Sequence, residues 1–340
     1  IEHPDFCTTN NNDNELSSNT LDDIFKKDGI IDKNLSSYEF RLNQLNFSKD
    51  IIKNMYDKNC LIAEAGAGLG KSYAYIFAGL LYCNENNSQL ILSTNTHSLQ
   101  SQLFNKDVPF AVKALNDNCK ITIIKGMNNY ICLTRLHDLI NNIEAVLNKY
   151  QAMELMSIYF WLAHTKTGDI SECNGFNLNH NGYLWSLINS KHNSCITYNC
   201  NANNGCFYRK IRESAKDSKI LIINHSMLIS YYDKEESFFK ENSICIIDEC
   251  HNFHSICQKQ LSKAIDIKGL EEIKNNYEGL LTRSKMNFMD DNKISSIKNR
   301  IDSLFIDAIS SLNKVFNNFF NNFIDDYSNS DYMSFKHINN

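Results

Sequence analysis

Long apolar runs are missing from this 340-residue chain. No stretch approaches the ~18 residues that a membrane-spanning helix needs, and the first residues carry no signal-peptide pattern. We therefore expect a cytoplasmic protein with no membrane partner. A basic surplus is also missing: 34 Lys and Arg stand against 39 Asp and Glu, a net charge of −5. That balance does not advertise a nucleic-acid partner, although an acidic protein can carry a local basic channel. Proline and glycine are scarce, at 2 and 12 residues, while Asn and Ile abound. We read that bias as codon usage in an A/T-rich genome. Hydrophobic content of 43% and charge of 21% are globular values. The length suits two domains, or one domain with insertions. Twelve cysteines in a large chain without a signal peptide argue against a disulfide framework and for ligation or buried thiols. Residue 1 is Ile, from which we expect a longer product.

Residues 1–20 are polar and rich in Asn and Ser, and read as a tail or linker. Short continuous apolar runs then alternate with helical patterns. Runs at 60–63, 89–93, 120–124, 219–223 and 243–247 read as strands. Such strands, separated by helices, imply a parallel sheet covered on both faces. Ligand groups in these sheets lie at the carboxyl ends of the strands. Beyond 255 the alternation stops. Ile301, Phe305, Ala308, Leu312, Val315, Phe319 and Phe323 follow a helical period, which predicts one face of a long helix packed in a core.

The chain is organised around Glu64-Ala65-Gly66-Ala67-Gly68-Leu69-Gly70-Lys71-Ser72. A predicted strand precedes it and a predicted helix follows. This is the arrangement of a phosphate-binding P-loop, whose backbone N–H groups cradle phosphates at a helix N-terminus. Lys71 would reach the β- and γ-phosphates of ATP, and Ser72 would hold Mg²⁺. Ala65 stands where the commonest pattern has glycine. Downstream, Asp248-Glu249-Cys250-His251 closes an apolar strand. In that context Asp248 would bind Mg²⁺, Glu249 would orient the attacking water, and His251 would couple the nucleotide site to other elements. Tyr38, Arg41 and Gln44, just ahead of the P-loop, are candidates for the adenine side.

Cys132 stands apart from Cys195, Cys200 and Cys206, which are spaced C-x₄-C-x₅-C in a polar loop. Four thiolates in this layout suit an iron–sulfur cluster. Zinc, with His192 as a substitute ligand, and four free thiols stay open on spacing alone. The remaining cysteines have no comparable spacing; Cys60 and Cys245, in predicted strands, are expected in the core. After Cys206, Arg209, Arg212 and Lys216 share a helical face. That face suits either solvent or a phosphate backbone, with Tyr208 available for base stacking.

Taken in order, these stretches resemble the iron–sulfur superfamily 2 DNA helicases of the XPD/DinG type, closest to bacterial DinG. Tyr38-Glu39-x-Arg41-x-x-Gln44 resembles the family's adenine-side motif, and Glu64 to Ser72 its motif I in the form with Ala65. Ser93-Thr94-Asn95-Thr96 with Leu99-Gln100-x-Gln102-Leu103 resembles motif Ia. Lys125-Gly126-x-x-Asn129-Tyr130-x-Cys132 resembles the segment with the first cluster ligand. Asn224-His225 and a DEAH box with Cys250 in place of Ala complete the set. The resemblance implies a RecA-like parallel sheet with helices on both faces, interrupted by an iron–sulfur insertion and a helical arch-like insertion. It implies motor segments at 21–131 and 211–264, a cluster domain at 132–210, and a partial arch at 265–340. It implies ATP, Mg²⁺ and a [4Fe–4S] cluster on Cys132, Cys195, Cys200 and Cys206. It also implies contact of Thr96 with DNA and a monomer moving 5′→3′ on single-stranded or forked DNA in repair or replication. The family's second motor domain has no counterpart in these residues, so we expect the front part of a helicase. The alternatives are a nucleic-acid-binding module with a vestigial ATP site and a zinc-stabilised P-loop ATPase.

Overall fold

The computed structural model describes residues 20–66, 68–191, 205–232, 237–262, 269–270, 273–274 and 291–327, with the backbone alone at 291 and 319–327. Two compact units divide the chain, Ile1–Leu261 and Ser262–Asn340.

The first unit is built on four parallel strands: β1 (Gln89–Thr94), β2 (Ile121–Ile123), β3 (Ile220–Asn224) and β4 (Ser243–Ile247), in the order β2-β3-β1-β4. The central pair reads Gln-Leu-Ile-Leu-Ser-Thr and Ile-Leu-Ile-Ile-Asn. Their apolar centres, residues 90–92 and 220–223, fit strands covered on both faces. Alternation sorts their side chains, because successive residues of a strand point to opposite faces. Leu90, Leu92, Ile220 and Ile222 enter one core, and Ile91, Leu221 and Ile223 the other.

The first core is closed by helices α1 (residues 20–25), α2 (Ile30–Asn34), α3 (Leu42–Tyr56) and α4 (Lys71–Glu85). Two further helices, α5 (His97–Gln102) and α6 (Val108–Ala114), follow β1. Between β2 and β3 run α7 (Leu133–Asn141), α8 (Ile143–Val146), α9 (Lys149–Leu162), α10 (Leu178–Ile188) and α11 (Phe207–Asp217). The first four of these enclose a core of their own around Leu136, Leu155, Ile158, Trp185 and Ile188. Ala215 of α11, with Met227 and Leu228 of α12 (His225–Tyr231), covers the second face of the sheet. Helix α13 (Phe253–Leu261) ends the unit.

One expected strand does not form. Residues 60–63 carry no strand, and Leu61 and Ile62 are 40% and 86% exposed. An apolar run becomes a strand only beside a partner ladder, and no described strand pairs with this one. Cys60 and Cys245, expected in the core, are both exposed. For Cys245 the reason is its place on β4, which is at an edge of the sheet.

The second unit contains α14 (Asp291–Tyr327). Ile301, Phe305, Ala308 and Leu312 form its half-buried stripe, whereas Val315 is exposed. The side chains of Phe319 and Phe323 lie outside the described residues. No helix among the described residues is long and apolar enough to cross a membrane.

Candidate functional site

The P-loop enters α4 through two glycines at positive φ, Gly68 at 82° and Gly70 at 81°. Only glycine takes that conformation without steric cost. A second constraint acts on Gly70: a Cβ there would collide with the amide of Gln44. That amide donates to the Gly70 carbonyl at 2.8 Å, and Arg41 Nη1 donates to the Gly68 carbonyl. Ser48, buried on the same face of α3, donates to the Ala74 carbonyl at 2.8 Å. Thus Arg41, the N-cap of α3, and Gln44 hold the loop's backbone, and Ser48 holds the start of α4. Of the three residues expected on the adenine side, Arg41 and Gln44 contact the loop's backbone, and the Tyr38 hydroxyl donates to the Phe25 carbonyl at 2.7 Å. Lys71 Nζ rests on the Ala65 carbonyl at 3.1 Å, inside the span that phosphates would take. Ala67 lies outside the described residues, while Gly66 and Leu69 are joined across it by a 3.5 Å backbone bond.

Asp248 follows β4 directly. Its N–H donates to the Ser93 carbonyl at 2.9 Å, which continues the sheet by one residue. Its Oδ1 accepts the Glu249 N–H at 3.0 Å, and its Oδ2 accepts the Tyr75 hydroxyl at 3.1 Å. Glu249 itself sits at φ 57°, an uncommon conformation for a residue with a side chain and one that clusters at functional sites. The turn carries the Glu249 carboxylate to 3.3 Å from His251 Nδ1. Burial pushes the Tyr75 phenol far above its usual range, the Asp248 charge adding to the effect, so it remains a donor.

His225 lies behind Asp248. It is fully buried, its Nδ1 is 2.7 Å from Ser93 Oγ, and its ring meets Phe253 edge-on at 5.4 Å. Burial lowers its pKa below the ordinary imidazole value, against an opposing pull from Asp248.

Around the corner, at the carboxyl ends of β1, β2 and β3, opens a cavity of roughly 640 Å³. His97, Asn128, Lys191, Asn224, Tyr231 and Gln260 are among its lining residues. Thr96 is exposed beside it and caps α5, accepting the Leu99 N–H at 3.2 Å. The residues expected to bind DNA on α11 divide. Arg209 and Lys216 are exposed, Arg209 paired with Glu213 at 2.9 Å. The Arg212 guanidinium instead covers the Tyr231 ring at 5.6 Å. Tyr208 is 5% exposed, its ring 5.4 Å from Tyr130 and its hydroxyl 2.8 Å from that of Tyr231. Tyr208 is thus mostly buried, yet it also lines the cavity.

Of the four cysteines singled out, Cys195 and Cys200 lie outside the described residues. The other two stand at helix starts, Cys132 as the N-cap of α7 and Cys206 as the N-cap of α11. Their neighbours touch. A Cβ on Gly205 would lie 3.3 Å from Leu133, and Phe207 packs onto Gly168, whose carbonyl accepts the Ile131 N–H at 3.0 Å. Among the described residues no group of three or more His, Cys, Asp or Glu side chains is placed to hold a metal ion. Lys125 anchors this region: its Nζ pairs with Asp169 at 2.5 Å and donates to Ser171 Oγ at 2.6 Å.

Residues 195–270 match the family model DEAD_2, a span that includes three of the four cysteines, α11, β3, α12, β4 and the Asp248–His251 turn. The chain is 30% identical over 260 residues, 75% of its length, to the ATP-dependent DNA helicase YoaA of Haemophilus influenzae. It is 30% identical over 232 residues to the 3'-5' exonuclease DinG of Staphylococcus haemolyticus, and 28% over 234 residues to that of Bacillus subtilis. The chain belongs to the XPD/DinG-type helicase family. It spans 39% of the length of the Haemophilus YoaA protein and 25% and 24% of the two DinG proteins. Within the family's frame, the residues that sequence reasoning missed are Ser48 and Tyr75, partners of α4 and of Asp248; His225 was matched without a structural role. Only Tyr75 left a signal: it lies four residues past Lys71 and therefore on the same face of α4.

Proposed function

We propose that this chain is the nucleotide-binding front of an ATP-dependent DNA helicase, acting as a cytoplasmic monomer that moves 5′→3′ along single-stranded or forked DNA in repair or replication. The observation that carries the reading is the convergence of two distant segments. The P-loop helix and the Asp248-Glu249 turn meet through the Tyr75–Asp248 hydrogen bond at the carboxyl end of one parallel sheet. Motors of this class need that juxtaposition, because catalysis rests on placing phosphates, cation and water together.

ATP would enter with its phosphates against the loop N–H groups, and Lys71 would leave the Ala65 carbonyl for the β- and γ-oxygens. Ser72 and Asp248 fit a divalent cation, an oxygen pair of the kind Mg²⁺ takes beside a nucleotide. Mg²⁺ bound there would neutralise charge on the phosphate oxygens. Glu249, oriented by its backbone turn and by His251, would position the attacking water. The 640 Å³ cavity, with its amide, imidazole and lysine lining, suits the phosphates and base edges of a single strand. Cys132 and Cys206, with Cys195 and Cys200, would hold the [4Fe–4S] cluster, which would cross-link the insertion into a rigid body.

Glu249→Gln tests the reading. Nucleotide affinity should stay within a few-fold of wild type, and turnover should fall by about 10²-fold or more, the scale of a lost proton acceptor. Single-stranded DNA should stimulate the wild-type rate, while the 340 residues alone should not unwind a fork. Unchanged turnover in the Glu249→Gln chain would reject the assignment.

A further inference from the structure

We propose that Tyr75 is a positioning residue of the cation site, its buried hydroxyl holding the Asp248 carboxylate where it and Ser72 can share one divalent ion. The inference rests on the nucleotide-site reading above and assigns a further residue to it.

Tyr75 sits in the second turn of α4, three residues after Ser72 and four after Lys71, so the three side chains share a face. Its ring is packed in the main core beside Ile76 and Phe77, and it is 4% exposed. The hydroxyl reaches Asp248 Oδ2 at 3.1 Å. One buried oxygen thus touches the carboxylate expected to take the cation, from the helix that also carries Ser72. A phenol in an apolar core would be costly without a partner, and here the partner belongs to the nucleotide site.

The Asp248 carboxylate is consequently held at both oxygens, by Tyr75 at Oδ2 and by the Glu249 N–H at Oδ1. Each oxygen has a second lone-pair direction left for a cation or its water shell. With the rotamer fixed in advance, cation binding need not order the carboxylate. Without the Tyr75 hydroxyl, one oxygen loses its donor, and ordering has to accompany binding.

The test compares nucleotide affinity with Mg²⁺ and with a chelator, on the full 340-residue chain. Tyr75→Phe keeps the ring and removes the hydroxyl. The metal-free affinity for ADP should stay within twofold of wild type, and the Mg²⁺ concentration at half effect should rise about tenfold, the scale of one hydrogen bond to a charged group. Tyr75→Met, which fills similar space without a hydroxyl, should show the same shift. That second variant serves if the first one melts early. In an Asp248→Asn background the Tyr75→Phe change should have no further effect. An unchanged Mg²⁺ midpoint in a folded variant overturns the role of Tyr75 and leaves the nucleotide site standing. No ADP binding by wild type, with or without Mg²⁺, overturns both.

Discussion

The Lys125 ammonium lies 2.5 Å from the Asp169 carboxylate, with side chains only 7% and 11% exposed. Lys125 follows β2, and Asp169 belongs to the inserted helical region, so the pair joins the sheet to the insertion. Two further contacts fix the same corner: the Lys125 N–H donates to the Tyr130 hydroxyl at 3.0 Å, and Asp169 Oδ1 accepts the Ser171 N–H at 3.0 Å.

Removing one partner of a buried pair leaves the other uncompensated, at a cost of about 3–5 kcal/mol. Lys125→Met should therefore destabilise the chain by roughly that amount in urea titration. Lys125→Met with Asp169→Asn should recover a large part of the loss, because no lone charge remains. A single variant as stable as wild type would show that the corner opens to water.

Gly70 makes a sharper case for the nucleotide loop. Gly70→Ala meets two penalties, the positive φ and the collision with Gln44. The backbone strain alone costs about 1–3 kcal/mol. Fluorescent-nucleotide binding should be lost or strongly weakened. Adding Gln44→Ala should relieve the collision and restore part of the melting temperature, but not the backbone strain. Full recovery of binding in the double variant would mean that φ at this position is not constrained.

Stability should also depend on pH through His225. Its folded pKa is lowered by burial, while in the unfolded chain the ring titrates near ~6.5. Between those two values the unfolded chain holds the extra proton, so stability rises with pH in that window. The contribution is complete above the unfolded pKa and is lost as pH falls toward the folded one. The wild-type melting temperature should drop between pH 7 and 5 more steeply than that of His225→Asn. Equal slopes would place the imidazole in contact with solvent.

The parts of the site that could be read in advance are those written in the backbone. Gly68, Gly70, Lys71 and Ser72 declare a loop at a helix start, and Asp248 and Glu249 declare a strand end, whatever surrounds them. The apolar centres of β1 and β3 could also be read, because burial on both faces leaves polar residues only toward the ends of these strands. Residues 60–63 looked the same but depend on a partner strand, which a local pattern cannot supply. Tyr208 looked like an exposed aromatic beside basic residues. Its inward packing on Tyr130 comes from β2 and α11 meeting across the insertion, which no local spacing encodes. The Tyr75–Asp248 bond is of the same kind, since 173 residues separate its ends.

The cluster assignment has the most direct chemical test. Cys132 and Cys206 cap α7 and α11, and Gly205, next to Cys206, lies close to Leu133, next to Cys132, so a metal held by both cysteines would tie α7 to α11. Anaerobically purified chain should contain four irons and four acid-labile sulfides, the composition of a [4Fe–4S] centre on four cysteines. Cys132→Ser and Cys206→Ser should each lose the visible absorption and the sulfide. They should destabilise the insertion while leaving ADP affinity close to wild type, because the P-loop and Asp248 draw on a different core. One zinc per chain with no sulfide would replace the cluster by a structural zinc site. Loss of ADP affinity in the cysteine variants would show instead that the insertion and the nucleotide site fold as one cooperative body.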